Sequence, residues 1–125
     1  MRLVIALLLA SVVAGCSAER NDAADVSPQE ALALAEQGTL FLDVRSPEEY
    51  ASGHVPGAVN IPYDEVSARI SEIESRRGDP VVVYCEKGPR ASKASATLAG
   101  AGFSSVRSLA GHMAAWRASG LPVAR

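Results

Sequence analysis

A short apolar segment in the second half of the chain constrains the fold most. Residues 81–84 read Val-Val-Val-Tyr, and such a continuous run is typical of a strand that is buried on both faces of a parallel sheet. The run stops at Cys85, so the sequence places this thiol at the carboxyl end of a central strand. Ligands bind at that edge of open α/β sheets. Cys85 is therefore the first candidate for a functional residue.

The residues after Cys85 predict a tight loop above a helix. Residues 91–101 are rich in alanine and are followed by Gly102, a combination that predicts a helix with glycine just past its end. Residues 86–90 must then turn over the N-terminus of this helix. Backbone N–H groups and the positive end of the helix dipole favour a negative charge there, and they favour the thiolate form of Cys85.

The side chains of this loop add charge. Lys87 and Arg90 are both cationic, and cations beside a cysteine make it a better nucleophile. The carboxylate of Glu86 would oppose them if it turned inward, so we expect it to point to solvent. We predict that Cys85 is the catalytic nucleophile and that Glu86, Lys87, Gly88 and Arg90 bind an anionic substrate through their backbone N–H groups and the two cations.

Helix and strand signals alternate along the rest of the chain. Capping boxes begin at Ser27 and Ser46, each followed by proline at the first helical position. The predicted strands cover residues 39–44, 58–60, 81–84 and 103–109. The predicted helices lie between residues 27 and 38, 46 and 53, 64 and 75, 91 and 101, and 111 and 118. This alternation predicts an α/β fold, a three-layer α/β/α sandwich on a mainly parallel sheet.

Three stretches resemble the rhodanese-like sulfurtransferase family, in the same order along the chain. The C-x-x-G-x-R pattern of Cys85, Gly88 and Arg90 resembles the active loop of that family. Residues 42–62 resemble its D-V-R…E-Y…G-H-I-P-G-A-x-N-I-P signature, and residues 109–123 resemble its closing L-x-G-G…W…G-x-P-V. The resemblance covers nearly all of the chain beyond the N-terminus, and it implies the rhodanese-like fold.

The resemblance implies a sulfurtransferase that needs no external cofactor. Cys85 would take the outer sulfur of a donor such as thiosulfate, become a persulfide, and pass the sulfur to cyanide or a thiol. A Cdc25-like cysteine phosphatase or an arsenate reductase is one alternative, but such enzymes have C-x5-R loops, whereas Cys85 to Arg90 is C-x4-R. A non-catalytic, membrane-anchored binding module is the other alternative, and such modules often lack the cysteine that is present here.

Two charged residues near the first strand complete the predicted site. Asp43 ends that strand, so it should reach the same sheet edge as Cys85. We assign a supporting role to Asp43 and Arg45, and we expect Arg45 to bind Asp43 or Glu49 rather than substrate.

The two histidines are interpreted as structural. His54 belongs to the fold signature of the resembled family. His112 stands where that family usually has a second glycine after Gly111, and we favour an exposed residue in the first turn of the terminal helix over one that lines the pocket. Neither histidine has a ligand spacing with Cys85 that would indicate a metal site.

Charge and length limit the function further. The net charge of −2, without a basic cluster, lacks the positive surface that nucleic-acid binding requires. The 125 residues leave room for one domain. We predict small-molecule partners, namely a sulfur donor and a thiol or cyanide acceptor, and no particular protein partner.

The N-terminus predicts export. Arg2 precedes an apolar run at residues 3–13 that is shorter than the roughly 20 residues of a membrane span. Residues 13–16 read Val-Ala-Gly-Cys and resemble a bacterial lipobox with lipidation at Cys16; cleavage after Ala18 is the alternative. We expect a periplasmic protein of the bacterial cell envelope, held at the outer membrane only by a lipid anchor. The predicted segments are a lipoprotein signal peptide (1–15), a flexible tether (16–26) and a rhodanese-like domain (27–125).

Overall fold

The computed structural model describes residues 24–125. The predicted signal peptide, the lipidation of Cys16 and most of the tether lie outside these residues, so they stay predictions, as does export. Within the described residues, no helix has the length and apolar character that a membrane crossing requires.

A four-stranded parallel sheet forms the centre of the domain. Its strands are β1 (Leu40–Asp43), β2 (Val59–Asn60), β3 (Val81–Tyr84) and β4 (Val106–Ser108), in the order β2-β1-β3-β4. All three strand pairings are parallel, and β3 lies between β1 and β4 with all four of its residues buried. The carboxyl ends of the strands therefore meet at one edge of the sheet, as the sequence predicts.

Within residues 24–125, four α-helices flank this sheet. They are α1 (Pro28–Glu36), α2 (Pro47–Ser52), α3 (Pro89–Gly100) and α4 (His112–Ala118). Ser27 and Ser46 cap the first two helices as predicted, and Ser46 forms a complete capping box with Glu49. Helix α3 begins at Pro89 rather than at residue 91, because proline fits the first helical position, where no N–H is needed. Its N-terminus is therefore closer to Cys85 than the sequence indicated.

The alternation of side chains along β1 and β3 divides the core between the two faces of the sheet. Leu42 and Val83 face a cluster that includes residues of α3, whereas Phe41 and Val82 face a cluster that includes residues of α1 and α4. Each fully buried side chain of this size stabilises the fold by about 1.5–3 kcal/mol. The helices lie on both faces of a parallel sheet, which is the predicted three-layer α/β/α arrangement. Trp116 is fully buried in the second cluster.

The helix predicted at residues 64–75 is wrong in type. The chain forms turns there, followed by two short 3₁₀ helices at Ile70–Glu72 and Glu74–Arg76. Several backbone N–H groups bind the carbonyl three residues back, such as that of Ile73, which donates to Ile70 at 3.1 Å. The apolar residues of this segment nevertheless form one stripe on a buried face, since Val66 and Ile73 are buried and Ile70 packs against the same core cluster. An apolar stripe determines which face of a segment is buried, and a 3₁₀ helix can bury such a stripe as well as an α-helix can.

Candidate active site

Cys85 follows β3 directly, at the carboxyl edge of the sheet, and is 1% exposed. Its Sγ atom accepts the backbone N–H of Gly88 at 3.0 Å. Gly88 has φ +136°, a conformation that only glycine adopts without strain. The Cys-x-x-Gly spacing therefore has a geometric reason, because the turn that brings this N–H group to the sulfur requires glycine at its third step.

The thiol of Cys85 is acidic for a buried cysteine. Burial raises its pKa, but hydrogen bonds with His112 and with the backbone N–H groups of Ala91, Gly88 and Lys87 outweigh burial and lower the pKa to about 7. A large fraction of the sulfur is therefore thiolate at neutral pH. The thiolate is the nucleophilic form of cysteine, which fits the predicted role of Cys85.

The structure corrects the expectation that His112 is exposed. The residue is 8% exposed, and its Nδ1 atom accepts the backbone N–H of Cys85 at 3.2 Å and lies 4.0 Å from Sγ. The reason is that the first turn of α4 packs against the loop: Met113 donates its N–H to the carbonyl of Cys85 at 3.0 Å, and Ala114 donates to that of Glu86 at 3.3 Å. His112 therefore lines the site from inside.

Glu86 does not extend freely into solvent, contrary to the prediction. Its side chain is 26% exposed, and its carboxylate forms ion pairs with Arg117 of α4 and with Arg45 at 3.6 Å. Two guanidinium groups on the same side of the loop attract it there. Its charge is thus partly neutralised, so it opposes a thiolate less than a free carboxylate would.

Asp43 and Arg45 form the expected supporting pair. The Nη2 atom of Arg45 lies 2.7 Å from an Asp43 oxygen and 2.8 Å from the carbonyl of Gly53, and both charged side chains are almost fully buried. The side-chain amide of Asn60 donates to the carbonyls of Asp43 and Arg45, at 3.0 Å each. This cluster fixes the chain beyond β1 beside the loop, and sequence reasoning missed the part that Asn60 plays.

Arg90 already has a carboxylate partner. Its two terminal nitrogens lie 2.6 and 3.1 Å from the two oxygens of Glu49 on α2. The hydrogen bond from Arg90 is the main reason that the pKa of Glu49 is lowered to about 2. The sequence predicts that Arg90 binds the substrate anion, whereas in the structure Arg90 joins α3 to α2. Binding of substrate by Arg90 stays a prediction.

Lys87 is exposed at the rim of the loop, and His54 packs within the fold as expected. His54 stacks on the ring of Tyr50, with centroids 3.7 Å apart, and its Nδ1 atom contacts the Tyr50 carbonyl at 2.8 Å. Its contacts are therefore with the fold, away from Cys85. No cluster of three or more His, Cys, Asp or Glu side chains within residues 24–125 is arranged to hold a metal ion.

Comparison with known proteins identifies the family. The sequence profile described as the Rhodanese-like domain matches residues 27–119. The chain belongs to the rhodanese-like domain family. It is 38% identical over 95 residues to thiosulfate sulfurtransferase 16, chloroplastic, of Arabidopsis thaliana, covering 68% of this chain and 79% of that protein. It is 36% identical over 94 residues to thiosulfate sulfurtransferase GlpE of Pseudomonas entomophila, covering 75% of this chain and 84% of that protein.

A solved structure gives the same result for the fold. The human single-domain sulfurtransferase TSTD1 superimposes with a TM-score of 0.67 at 29% identity, covering 75% of this chain and 95% of that one. The rhodanese-like family member described here therefore has sulfurtransferases among its relatives in both sequence and structure, which supports sulfur transfer at the level of the family.

Proposed function

We propose that this rhodanese-like protein is a sulfurtransferase in which Cys85 carries the transferred sulfur as a persulfide. The observation that carries the proposal is the N–H group of Gly88 placed 3.0 Å from a buried Sγ atom at the carboxyl edge of the sheet. The thiolate attacks the outer sulfur of a donor such as thiosulfate, and sulfite leaves with the electron pair of the broken S–S bond. A nucleophile such as cyanide or a thiol then attacks the outer sulfur of the persulfide.

The electrostatics of the site support an anionic donor and an anionic intermediate. Hydrogen bonds with His112 and the loop amides outweigh burial and lower the pKa of the Cys85 thiol to about 7, which supports an intermediate with negative charge on sulfur. Cys85 also lies beside the N-terminus of α3, a helix of 12 residues, where the helix dipole is positive. Lys87 adds a cation at the rim. Preorganised donors of this kind stabilise charge that moves between sulfur atoms.

The proposal is tested by mass spectrometry of the intact protein. Incubation with thiosulfate should add about 32 Da, the mass of one sulfur atom, at a reactive thiolate. The added mass should disappear when cyanide is supplied, with release of thiocyanate. A wild-type protein that gains no sulfur would overturn the proposal.

Two variants identify the thiol, because the chain has only two cysteines, Cys16 and Cys85. Cys85→Ser retains Cys16 and should gain no sulfur. Cys16→Ser retains Cys85 as its only thiol and should react like the wild type, so it is the matched control. Sulfur gained by Cys85→Ser at the wild-type rate would show that Cys85 is not the carrier.

A further inference from the structure

His112 has an unusual backbone conformation. Its φ of +56° makes it the one non-glycine residue with a positive φ in the part of the chain that the structure describes. A side chain with a Cβ atom is disfavoured in this region, and residues held there are concentrated at functional sites. The conformation places the imidazole ring against the reactive cysteine rather than in solvent.

The contacts of the ring determine which nitrogen carries the hydrogen. Nδ1 accepts the backbone N–H of Cys85 at 3.2 Å, so its lone pair points toward Cys85 and the neutral ring has its hydrogen on Nε2. The same Nδ1 lies 4.0 Å from Sγ. A nitrogen that can accept a proton is therefore placed beside the thiol.

The other nitrogen of the ring faces outward. Nε2 has no hydrogen-bond partner within residues 24–125, and it is not among the fully buried atoms without a partner. It lies beside Gly88, where an added Cβ would be 3.2 Å away from it. The imidazole ring therefore contacts the buried sulfur through Nδ1 and lies beside Gly88 of the loop through Nε2.

The charged groups around this pair are already partnered or exposed. They come from all the elements packed against it: Asp43 and Tyr84 of the sheet, Arg45 after β1, Glu49 of α2, Glu86 and Lys87 of the loop, Arg90 of α3 and Arg117 of α4. The three carboxylates are each bound to an arginine, and burial raises the pKa of the Tyr84 hydroxyl. Cysteine and histidine are the side chains of this cluster that ordinarily titrate closest to neutral pH.

We propose that His112 is a catalytic residue that holds the proton of the Cys85 thiol while the sulfur reacts. The proposal rests on the sulfurtransferase function proposed above and names the group that handles its proton. The thiol gives its proton to Nδ1, and the thiolate attacks the outer sulfur of thiosulfate: Cys85–S⁻ + S₂O₃²⁻ → Cys85–S–S⁻ + SO₃²⁻. One S–S bond forms and one breaks, so no separate oxidant or reductant is needed.

The second transfer returns the proton. An acceptor thiolate attacks the outer sulfur: Cys85–S–S⁻ + R–S⁻ → Cys85–S⁻ + R–S–S⁻. The Sγ atom of Cys85 leaves this bond as a thiolate and takes the proton back from Nδ1. A protonated Nδ1 cannot accept the backbone N–H of Cys85, so the cationic ring loses that hydrogen bond.

The experiment measures the ionisation of Cys85 without any sulfur transfer. In a Cys16→Ser background, the rate of alkylation by iodoacetamide is followed against pH for wild-type His112, His112→Gly and His112→Asn. Glycine and asparagine both tolerate a positive φ, so both variants should fold, which thermal unfolding checks. The Asn oxygen can still accept the Cys85 N–H group, but it takes up no proton near neutral pH. We expect the alkylation midpoint to rise by about one pH unit in both variants.

Persulfide formation from thiosulfate should follow the same dependence on pH. At pH 6 both variants should react about tenfold more slowly, which is the loss of thiolate that a midpoint one unit higher implies, and at pH 9 they should approach the wild-type rate. An unchanged alkylation midpoint would overturn the proposal. A loss in His112→Gly that His112→Asn restores at every pH would also overturn it, because His112 would then act only through the amide hydrogen bond.

Different results would overturn the sulfurtransferase function and the proposed role of His112. If the wild type forms no persulfide and the variants still shift the alkylation midpoint, the proposed sulfurtransferase function is wrong. Proton transfer from Cys85 to His112 is then still supported. If the wild type forms persulfide and the midpoints do not differ, the sulfurtransferase stands and the role of His112 is wrong.

Discussion

The sulfur of Cys85 is contacted from two sides by chemically different groups. On the side of residues 86–90, the sulfur meets a backbone N–H group, from Gly88 at 3.0 Å. On the side of α4 it meets the imidazole of His112 at 4.0 Å. A backbone N–H group has the same dipole at every pH, whereas an imidazole gains and loses a proton. Both sides stabilise negative charge on the sulfur, but only the α4 side offers a group that can take up the proton.

The largest loss of activity should come from Gly88→Ala, which changes both the loop at residues 86–90 and its contact with His112 of α4. The new Cβ would lie 3.2 Å from Nε2 of His112, and φ +136° is strained for alanine. The displaced N–H group should lower kcat/KM for thiosulfate about 100-fold, the usual loss for one donor of this kind. Gly78→Ala is the matched control, since a Cβ there meets nothing within 4 Å, and its activity should be unchanged.

A double variant separates the two causes. Gly88→Ala with His112→Gly removes the close contact but leaves the strained φ, so we expect the double variant to be at least as slow as Gly88→Ala. Recovery to the level of His112→Gly alone would show that the imidazole ring, rather than the backbone of the loop, determines the position of the Gly88 N–H group.

Arg90→Ala tests the loop side alone, and we expect a loss of about tenfold in kcat/KM. Because both terminal nitrogens of Arg90 bind Glu49, the loss should be similar for thiosulfate and for an uncharged organic polysulfide. Lys87→Ala is the comparison variant: an exposed cation should cost less than about 1 kcal/mol, for the charged donor only, and less at high salt. A loss confined to thiosulfate in Arg90→Ala would mean that the guanidinium leaves Glu49 and binds the donor.

The smallest effect concerns stability in acid. The pKa of Glu49 is about 2, below its ordinary 4.5, so its stabilising charge is fully present above pH 4.5 and is lost as the pH falls toward 2. Its side chain is 36% exposed, and solvent screening should reduce the contribution to about 1 kcal/mol. Urea unfolding of Glu49→Gln should therefore show a deficit of that size at pH 7 that shrinks below pH 4.5 and is mostly lost near pH 2. Glu48→Gln, at an exposed neighbouring position, should show no such pattern.

Strand β3 could be predicted because a short, continuous apolar run is typical of a buried strand. Residues 81–84 are continuously apolar and end at Cys85, so the strand, its burial and the position of the thiol all follow from one run. The type of helix at residues 64–75 could not be predicted, because the apolar stripe of this segment is compatible with both α and 3₁₀ hydrogen bonding. Short helices depend on tertiary packing for their stability, and a local pattern does not contain that information.

The side-chain partners in the site were not predictable for a similar reason. His112 and Cys85 are 27 positions apart, and Arg90 and Glu49 are 41 positions apart. Such contacts depend on how α4 and α2 are placed at the edge of the sheet. One signal was available for His112, since a histidine at a position where the resembled family usually has glycine indicates that something is gained there.

The two outer strands of the sheet limit how copies of the protein can associate. An open edge strand invites pairing with another chain and can lead to aggregation. Strand β2 has two residues and offers few open backbone groups. Strand β4 is followed by residues that pair with Val26, whose N–H donates to Ser108 at 2.8 Å and whose carbonyl accepts from Ala110 at 2.7 Å. The segment before α1 thus covers part of this edge and reduces the open backbone to which a second copy could add a strand.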